Sequence, residues 1–386
     1  MSPPQRKPAT IADVADLADV AKSSVSNYLN GQVRVADATA ARIAMAITKL
    51  NYRPAAAARS LTSRRYSAFD VDRLPAGLPC LTAVGPVSVD TIAEVAVLPT
   101  RGENRVAPRI IRTLGGTAAN VAVLAAGLGG DFGVAASLLT SLGDDLDSDW
   151  IKAELASRHV AVISPVAERG RRASQNVVLV SPGGARTIIS EPADPALIDF
   201  DDFLSRTTAP ADRRWCLLFQ GQQVPRALER IADIRKAGFL PAMHVEDLPA
   251  QFLEEMLGPI LDAFAFVVIG RATLGEGSVV PFIDRLAGEA RMRPQWPDAV
   301  LVCAGPQELV AVEADGAVRR VPMEDVTPLD EGGIDDAIAA TFLAAWLNDQ
   351  PLTGAMSMAA SAATLVAGSL GTQEVRPSAR ELGACE

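Results

Sequence analysis

The sequence predicts a small all-α domain at the N-terminus, followed by a larger α/β domain whose mostly parallel sheet is flanked by helices. Three observations carry this. The hydrophobic period changes near residue 80: before it apolar residues recur at helical spacing, and after it short β-rich runs alternate with amphipathic helical runs. Charge is divided unevenly. The 386-residue chain has a net charge of −10, yet residues 1–65 hold ten Lys/Arg against four Asp/Glu, net +6, and the remainder holds 26 against 42, net −16. Length and composition agree, because 49% hydrophobic and 21% charged residues suit a globular chain with a sizeable core beside one small module. A basic head on an acidic body is the asymmetry of one domain that holds nucleic acid and another that repels phosphates.

Residues 10–17 read as the first helix, with Thr10 as N-cap and Asp13 in the capping-box position. Asp19 and Val20 make a tight turn, and Asp tolerates left-handed backbone. Lys22 to Asn30 gives a second helix, stopped by Asn30-Gly31. Ala38 to Asn51 gives a third, with Ile43, Ala44, Ile47 and Leu50 at helical spacing, and Pro54 breaks it. Val14, Ala15, Val20, Val25 and Leu29 form the buried faces. Lys22, Ser23, Ser24, Ser26 and Asn27 stay on the exposed face of the second helix, as short polar or basic side chains suited to base edges and phosphates. The alanine-rich run 55–61 is too short to hold a helix alone, and 62–80 reads as a linker.

Residues 9–65, including Leu50-Asn51-Tyr52-Arg53-Pro54 and the hinge-like Ala56-Ala57-Ala58-Arg59-Ser60-Leu61, resemble the LacI family of bacterial regulators. That resemblance implies a helix-turn-helix binding a palindromic double-stranded operator as a homodimer. Its implied DNA-binding set is Thr10, Lys22, Ser23, Ser24, Ser26, Asn27, Tyr52, Arg59 and Leu61. Lys22, Ser23 and Asn27 would read bases, Ser24 and Ser26 would lie nearer the backbone, and Leu61 would wedge into the minor groove. Asp19 stands where that family often has glycine.

In the body the strand candidates are 81–87, 133–139, 176–181, 185–190, 215–219, 264–269, 299–303 and 309–313. The helix candidates are 117–128, 146–157, 224–237, 250–257, 279–288, 333–348 and 352–367. The expected domains are 1–65, a linker at 66–80, a body at 81–375 and a tail at 376–386.

Four runs carry a second resemblance: Val84-Gly85-Pro86-Val87-Ser88-Val89-Asp90, then Leu98-Pro99 with Gly102-Glu103, then Gly115-Gly116-Thr117-Ala118-Ala119-Asn120, and last Asp330-Glu331-Gly332-Gly333-Ile334-Asp335-Asp336. With them, Leu81 to about Thr372 resembles the PfkB, or ribokinase-like, carbohydrate kinases. This implies a ribokinase-like fold with a small β lid at roughly 92–113, which can serve in dimerisation. The implied ligand site comprises Asp90, Gly115, Gly116, Asn120, Arg186, Gly333 and Asp336. Asp90 would hold sugar hydroxyls, the glycines would let backbone approach the ligand, and Asp336 would occupy the place of the catalytic base.

The family pattern ends in Gly-Ala-Gly-Asp, where the glycines open backbone N–H groups at a helix N-terminus to phosphate. Here those positions read Gly333-Ile334-Asp335-Asp336, so a carboxylate replaces a phosphate-cradling glycine. The Asn-x-x-Glu expected after the strand 264–269 reads Gly270-Arg271-Ala272-Thr273, with Glu276 as a partial substitute. The nucleotide-side Gly-x-x-Gly reads Gly305-Pro306-Gln307-Glu308. The expected function is therefore a transcription regulator whose body senses a sugar or nucleoside-like effector without kinase activity. Its alternatives are a bifunctional sugar kinase that also binds DNA and a nucleotide sensor. No cofactor is expected; ATP and Mg²⁺ enter only with the kinase alternative.

Other features read more plainly. His159 and His244 lack metal-ligand spacing, so no metal site is expected. Arg169-Gly170-Arg171-Arg172 reads as a solvated basic loop, and Asp144-Asp145 as structural. Cys80, Cys216, Cys303 and Cys385 form no CxxC pair, no run of 18 apolar residues suggests a membrane span, and Met1 to Pro8 is no signal peptide, so a cytoplasmic protein is expected.

Overall fold

The computed structural model describes residues 10–25, 39, 42–43, 45–46, 74–75, 77–164, 171–192, 198–245, 248–274, 278–305 and 308–382. The chain divides into two compact units, Met1–Phe69 and Asp70–Glu386.

In the first unit α1 spans Ile11–Ala18, and the Thr10–Asp13 capping box forms in both directions. Asp19 closes the helix in the left-handed region at φ 50°, where a short polar side chain is tolerated. Residues 22–25 are helical, and so are 42–43 and 45–46. Val14, Ala15, Ala18, Val25, Ile43 and Ala46 share one buried cluster, with Ile11 and Val20 packed against it. Three helical segments thus meet on their apolar faces, while Lys22 and Ser23 stay exposed. Ser26, Asn27, Leu29, Ala44, Ile47, Leu50, Tyr52, Arg59 and Leu61 lie outside the described residues.

The second unit is built on two sheets. The larger has nine strands in the order β13-β12-β11-β10-β9-β8-β1-β4-β5: β1 (Cys80–Val84), β4 (Ala135–Leu139), β5 (Ala161–Ile163), β8 (Trp215–Gln220), β9 (Leu240–Val245), β10 (Phe266–Ile269), β11 (Ala299–Gly305), β12 (Glu308–Val312) and β13 (Val318–Pro322). Pairing is parallel from β5 to β11, and β12 and β13 add antiparallel at the edge. The second sheet is the lid, in the order β3-β2-β6-β7, from β2 (Ser88–Glu94), β3 (Arg109–Gly115), β6 (Ser174–Val180) and β7 (Arg186–Ser190).

The helices of this unit are α2 (Thr117–Leu128), α3 (Leu146–Ser157), α4 (Phe200–Arg206), α5 (Val224–Glu229), α6 (Ile231–Lys236), α7 (Ala250–Ala263), α8 (Arg271–Leu274), α9 (Val279–Met292), α10 (Ile334–Leu347) and α11 (Leu352–Ala367). Helices α2 and α10 are buried almost all round, which is why, beyond their polar first turns, they are apolar on every face instead of along one stripe. Their alanines let them pack closely with the sheet and α11 in the main core. A large aliphatic or aromatic side chain buried there contributes about 1.5–3 kcal/mol. Polar groups in the sheet are satisfied in a chain across three strands: Trp215 Nε1 donates to Thr82 Oγ1 at 2.8 Å, and Thr82 shares a 2.6 Å hydrogen bond with Ser137 Oγ.

Several elements depart from the sequence reading. The strand expected over 81–87 ends at Val84, and Gly85-Pro86 turns the chain into the lid. The lid takes four strands, so 176–181 and 185–190 belong to it and not to the parallel sheet. The helix expected over 224–237 is two, broken at Arg230 (φ −109°, ψ 9°). Helix α7 runs past Gly258 and through Pro259. No helix among the described residues is long and apolar enough to cross a membrane.

Candidate functional site

The lid and the C-terminal edge of the large sheet enclose a cleft of about 1030 Å³. Asp90, Gly115, Gly116, Asn120, Arg186, Gly333 and Asp336 all line it, although they come from three lid strands, the turns before α2 and α10, and those helices' first turns.

Asp90 sits on β2, facing inward. Its Oδ1 accepts from Ser88 Oγ at 2.7 Å and from Asn176 Nδ2 at 2.8 Å. Burial raises its pKa, and the two hydrogen bonds and Arg186 oppose that rise. The carboxylate lies flat against Gly115, where a Cβ would come 2.0 Å from Asp90 Oδ1. Next along, Gly116 caps α2 at φ 93°, and a Cβ there would lie 2.5 Å from the Pro86 carbonyl. A larger residue at position 115 would displace the Asp90 carboxylate, and one at position 116 would have to move backbone.

Asp336 is buried in the first turn of α10, where the exposed N–H groups of the helix favour negative charge. Its Oδ2 accepts from Asn120 Nδ2 at 2.7 Å, and Asn120 Oδ1 accepts from Gln373 Nε2 at 2.7 Å. Asn120 therefore orients Asp336 while bordering the cleft. Beneath them lies His244, fully buried at the end of β9, with Nδ1 3.7 Å from Asp336 Oδ1. That distance is too long for a hydrogen bond. Burial pushes its pKa down to about 4, against the pull of the Asp335 charge.

The neutrality of His244 has a measurable sign. The folded pKa lies below the ordinary 6.5, so between the two values the unfolded chain takes up a proton that the folded chain refuses. His244 costs nothing well above pH 6.5, and its penalty grows as pH falls toward 4. Urea unfolding should show a loss on the order of 2 kcal/mol from this group between pH 7 and pH 5. His244→Phe should remove that loss; an unchanged pH dependence in the variant would assign it to other groups.

Asp335 precedes Asp336 on α10. A Cβ on Gly270, at the end of β10, would lie 2.7 Å from Asp335 Oδ2, so this carboxylate fills the gap between the α10 N-terminus and the β10 edge. Glu308 is turned to Arg320, at 2.6 Å. Glu276, Pro306 and Gln307 lie outside the described residues.

Arg186 crosses from lid strand β7 to Asp330, its Nη2 2.7 Å from Asp330 Oδ2 and its Nε on Oδ1. Burial alone would lower the Arg186 pKa, but the bonds and charge of Asp330 raise it. Asp330 also accepts from the backbone N–H groups of Gly332 and Gly371, each at 2.9 Å. Gly332 makes room for the guanidinium, since a Cβ there would fall 1.8 Å from Arg186 Cζ. Gly333 holds φ 79° against Thr372.

Arg171 and Arg172, read as a solvated loop, line the cleft. Arg171 donates to Ser141 Oγ at 3.2 Å, and Arg172 pairs with Glu191. Asp145 caps α3 and accepts from Ala173 N–H. Asn176, Gln373, Thr140 and Gln220 carry no distinguishing pattern in the sequence, each being an isolated polar residue in a strand, at a strand end or in a turn. Among the described residues no cluster of three or more His, Cys, Asp or Glu could hold a metal ion.

The fold has solved counterparts. A protein from Agrobacterium tumefaciens described as a ribokinase is 20% identical, with TM-score 0.65, covering 80% of this chain and 97% of its own. Arabidopsis thaliana ribokinase, solved with ribose and ATP, is 19% identical with TM-score 0.60, covering 80% and 98%. A Methanocaldococcus jannaschii nucleoside kinase is 18% identical with TM-score 0.59, covering 80% and 97%. At such identities these likenesses show the fold alone. No curated protein matches the sequence. Residues 10–55 match the family model for bacterial regulatory proteins of the lacI family, and residues 81–379 match that for the pfkB family of carbohydrate kinases. The chain belongs to the pfkB carbohydrate kinase family and carries a lacI-type helix-turn-helix domain ahead of its kinase-like body.

Proposed function

We propose that this protein is a transcription regulator that binds a two-fold symmetric operator as a homodimer, and that its body is a receptor for a sugar or nucleoside-like effector instead of a working kinase. The observation that carries this is Asp335. A triphosphate at the start of α10 needs open backbone N–H groups and positive charge. Here a carboxylate stands there, reaching within 2.7 Å of the Cβ position of Gly270. The nearby His244, held neutral above about pH 4, supplies no compensating charge. The residues present do not fit ATP with Mg²⁺, while the carboxylates and amides around Asp90 and Asp336 suit a polyol.

The helix-turn-helix supports DNA binding, and one such head makes too few contacts alone, which favours a dimer. The outer face of the lid offers a surface for pairing. Val177 and Ile189 are paired across β6 and β7, Ile110 stands opposite Ala93, and all three large side chains are exposed. Effector binding would shift operator affinity by favouring one dimer geometry.

The second reading, a bifunctional sugar kinase, is favoured by Asp336 standing at the helix N-terminus within the cleft. One experiment separates the two. The full chain, selected against random duplexes, should enrich a symmetric site whose affinity changes with a sugar or nucleoside. ATP turnover across a sugar panel should stay at background. Turnover abolished by Asp336→Asn would establish the kinase, and failure to enrich any sequence would remove the regulator.

A further inference from the structure

The polar side chains of the cleft divide into two groups. Those around Asp90 and Asp336 largely satisfy one another, through Ser88, Asn176, Asn120 and Gln373, with the Thr113 hydroxyl opposite Asp90 as an exception. Those on the sheet edge do not. Gln220, at the end of β8, is buried, and neither its Oε1 nor its Nε2 has a hydrogen-bond partner. Thr140, just past β4, is fully buried, and its Oγ1 has none. Both residues line the cleft.

Strand β1 runs between β4 and β8, with Val84 opposite Leu139 and Phe219. Thr140 and Gln220 therefore stand one residue further on, flanking Gly85. A Cβ on Gly85 would lie 2.8 Å from Ala118 Cβ and 3.1 Å from Gln220 Cβ, so the glycine leaves room for the glutamine. Buried polar atoms left unpaired are costly, and native structures keep few of them. A carboxamide and a hydroxyl on either side of Gly85 in a ligand cleft call for a partner group that both donates and accepts.

We propose that the effector has two rings: a polyol ring held at Asp90 and Asp336, and a second ring whose adjacent donor and acceptor pair with the Gln220 carboxamide and the Thr140 hydroxyl. This rests on the receptor reading above and narrows its ligand class. The cleft volume of about 1030 Å³ agrees, because it lies at the upper end of the range that encloses drug-sized ligands, beyond the need of one sugar ring. Two sources share the second ring's chemistry. One is the neighbouring hydroxyls of a second sugar, and the other is the donor–acceptor edge of a nucleobase, which glutamine pairs with in bidentate fashion.

Calorimetry on the full chain tests this with ribose, adenosine and uridine, and with glucose, maltose and trehalose. At least one two-ring compound should bind about tenfold or more tighter than its one-ring fragment, as two hydrogen bonds would give. Gln220→Met and Thr140→Val should each shrink that margin. A nucleoside in the lead identifies the nucleobase source, and a disaccharide the second sugar. A one-ring sugar that binds as tightly as every two-ring compound containing it would overturn the two-ring proposal alone. So would a margin that survives Gln220→Met, since the carboxamide would then serve water. If no compound of either kind binds, the receptor reading falls with it.

Discussion

Replacing Asp335 with glycine is expected to raise the chain's affinity for ATP with Mg²⁺ by as much as about three orders of magnitude. The reason is Coulombic. Two unit charges about 4 Å apart at an effective dielectric near 20 repel by roughly 4 kcal/mol, and each 1.4 kcal/mol is about tenfold in affinity. The carboxylate lies at the second position of α10, where a glycine would present bare backbone N–H groups, and it reaches toward Gly270. His244 cannot offset it, because burial keeps the imidazole neutral above about pH 4.

Asp335→Asn separates the two components of that loss. It removes the charge and keeps the bulk, so it should recover most of the Coulombic part, and glycine should add what the freed space allows. Calorimetric titration with ATP, ADP and AMP supplies a further control. The gain should grow with the number of phosphates, since the penalty depends on negative charge brought to the helix end. If wild-type protein already binds ATP as tightly as Asp335→Gly, the carboxylate is not the obstacle, and the receptor reading loses its support.

Much of this arrangement was legible in the sequence, and the illegible parts have physical causes. Helices α2 and α10 are readable because each opens on a glycine pair and, after a polar first turn, continues in a largely apolar run. The seven residues expected at the ligand site line one cleft, Asp90 and Arg186 placed by the lid strands and the others by the glycine turns that open α2 and α10. The lid strands were harder. Ser88–Glu94 follows β1 with only Gly85-Pro86-Val87 between, so the sequence reading carries the first strand on to residue 87 and assigns none over 88–94. Leu240–Val245 contains Pro241, which argues against an interior strand, yet Pro241 sits opposite Leu217 in a parallel ladder. In α7, Gly258-Pro259 reads as a stop, but the helix continues through it. His244 and Gln220 could not be placed in the site from sequence at all. Each is an ordinary residue at a strand end, and only the sheet order puts His244 below Asp336 and Gln220 across Gly85 from Thr140.

Asp330→Ala is expected to destabilise the body by about 3–5 kcal/mol, the usual cost of removing one partner from a buried ion pair. Three groups lose their acceptor at once. They are the largely buried Arg186 guanidinium and the backbone N–H groups of Gly332 and Gly371. Water cannot readily replace them, since Asp330 is fully buried. For a domain of this size the loss corresponds to a fall in Tm on the order of 10 °C.

The pair also joins the lid to the α10 loop. Arg186 lies on β7, and the adjoining hairpin docks through Gly184 O, which accepts from Glu331 N–H at 3.0 Å. Cutting the pair should therefore weaken effector binding as well as stability. A double-mutant cycle distinguishes a buried charge from a simple contact. Arg186→Met combined with Asp330→Ala leaves no stranded guanidinium, so the double variant should be more stable than Asp330→Ala alone. An Asp330→Ala protein whose stability stays within about 0.5 kcal/mol of wild type, a change of the size that surface substitutions bring, would mean that the hairpin is held down by its backbone contact. The arginine would then be left to act on the ligand.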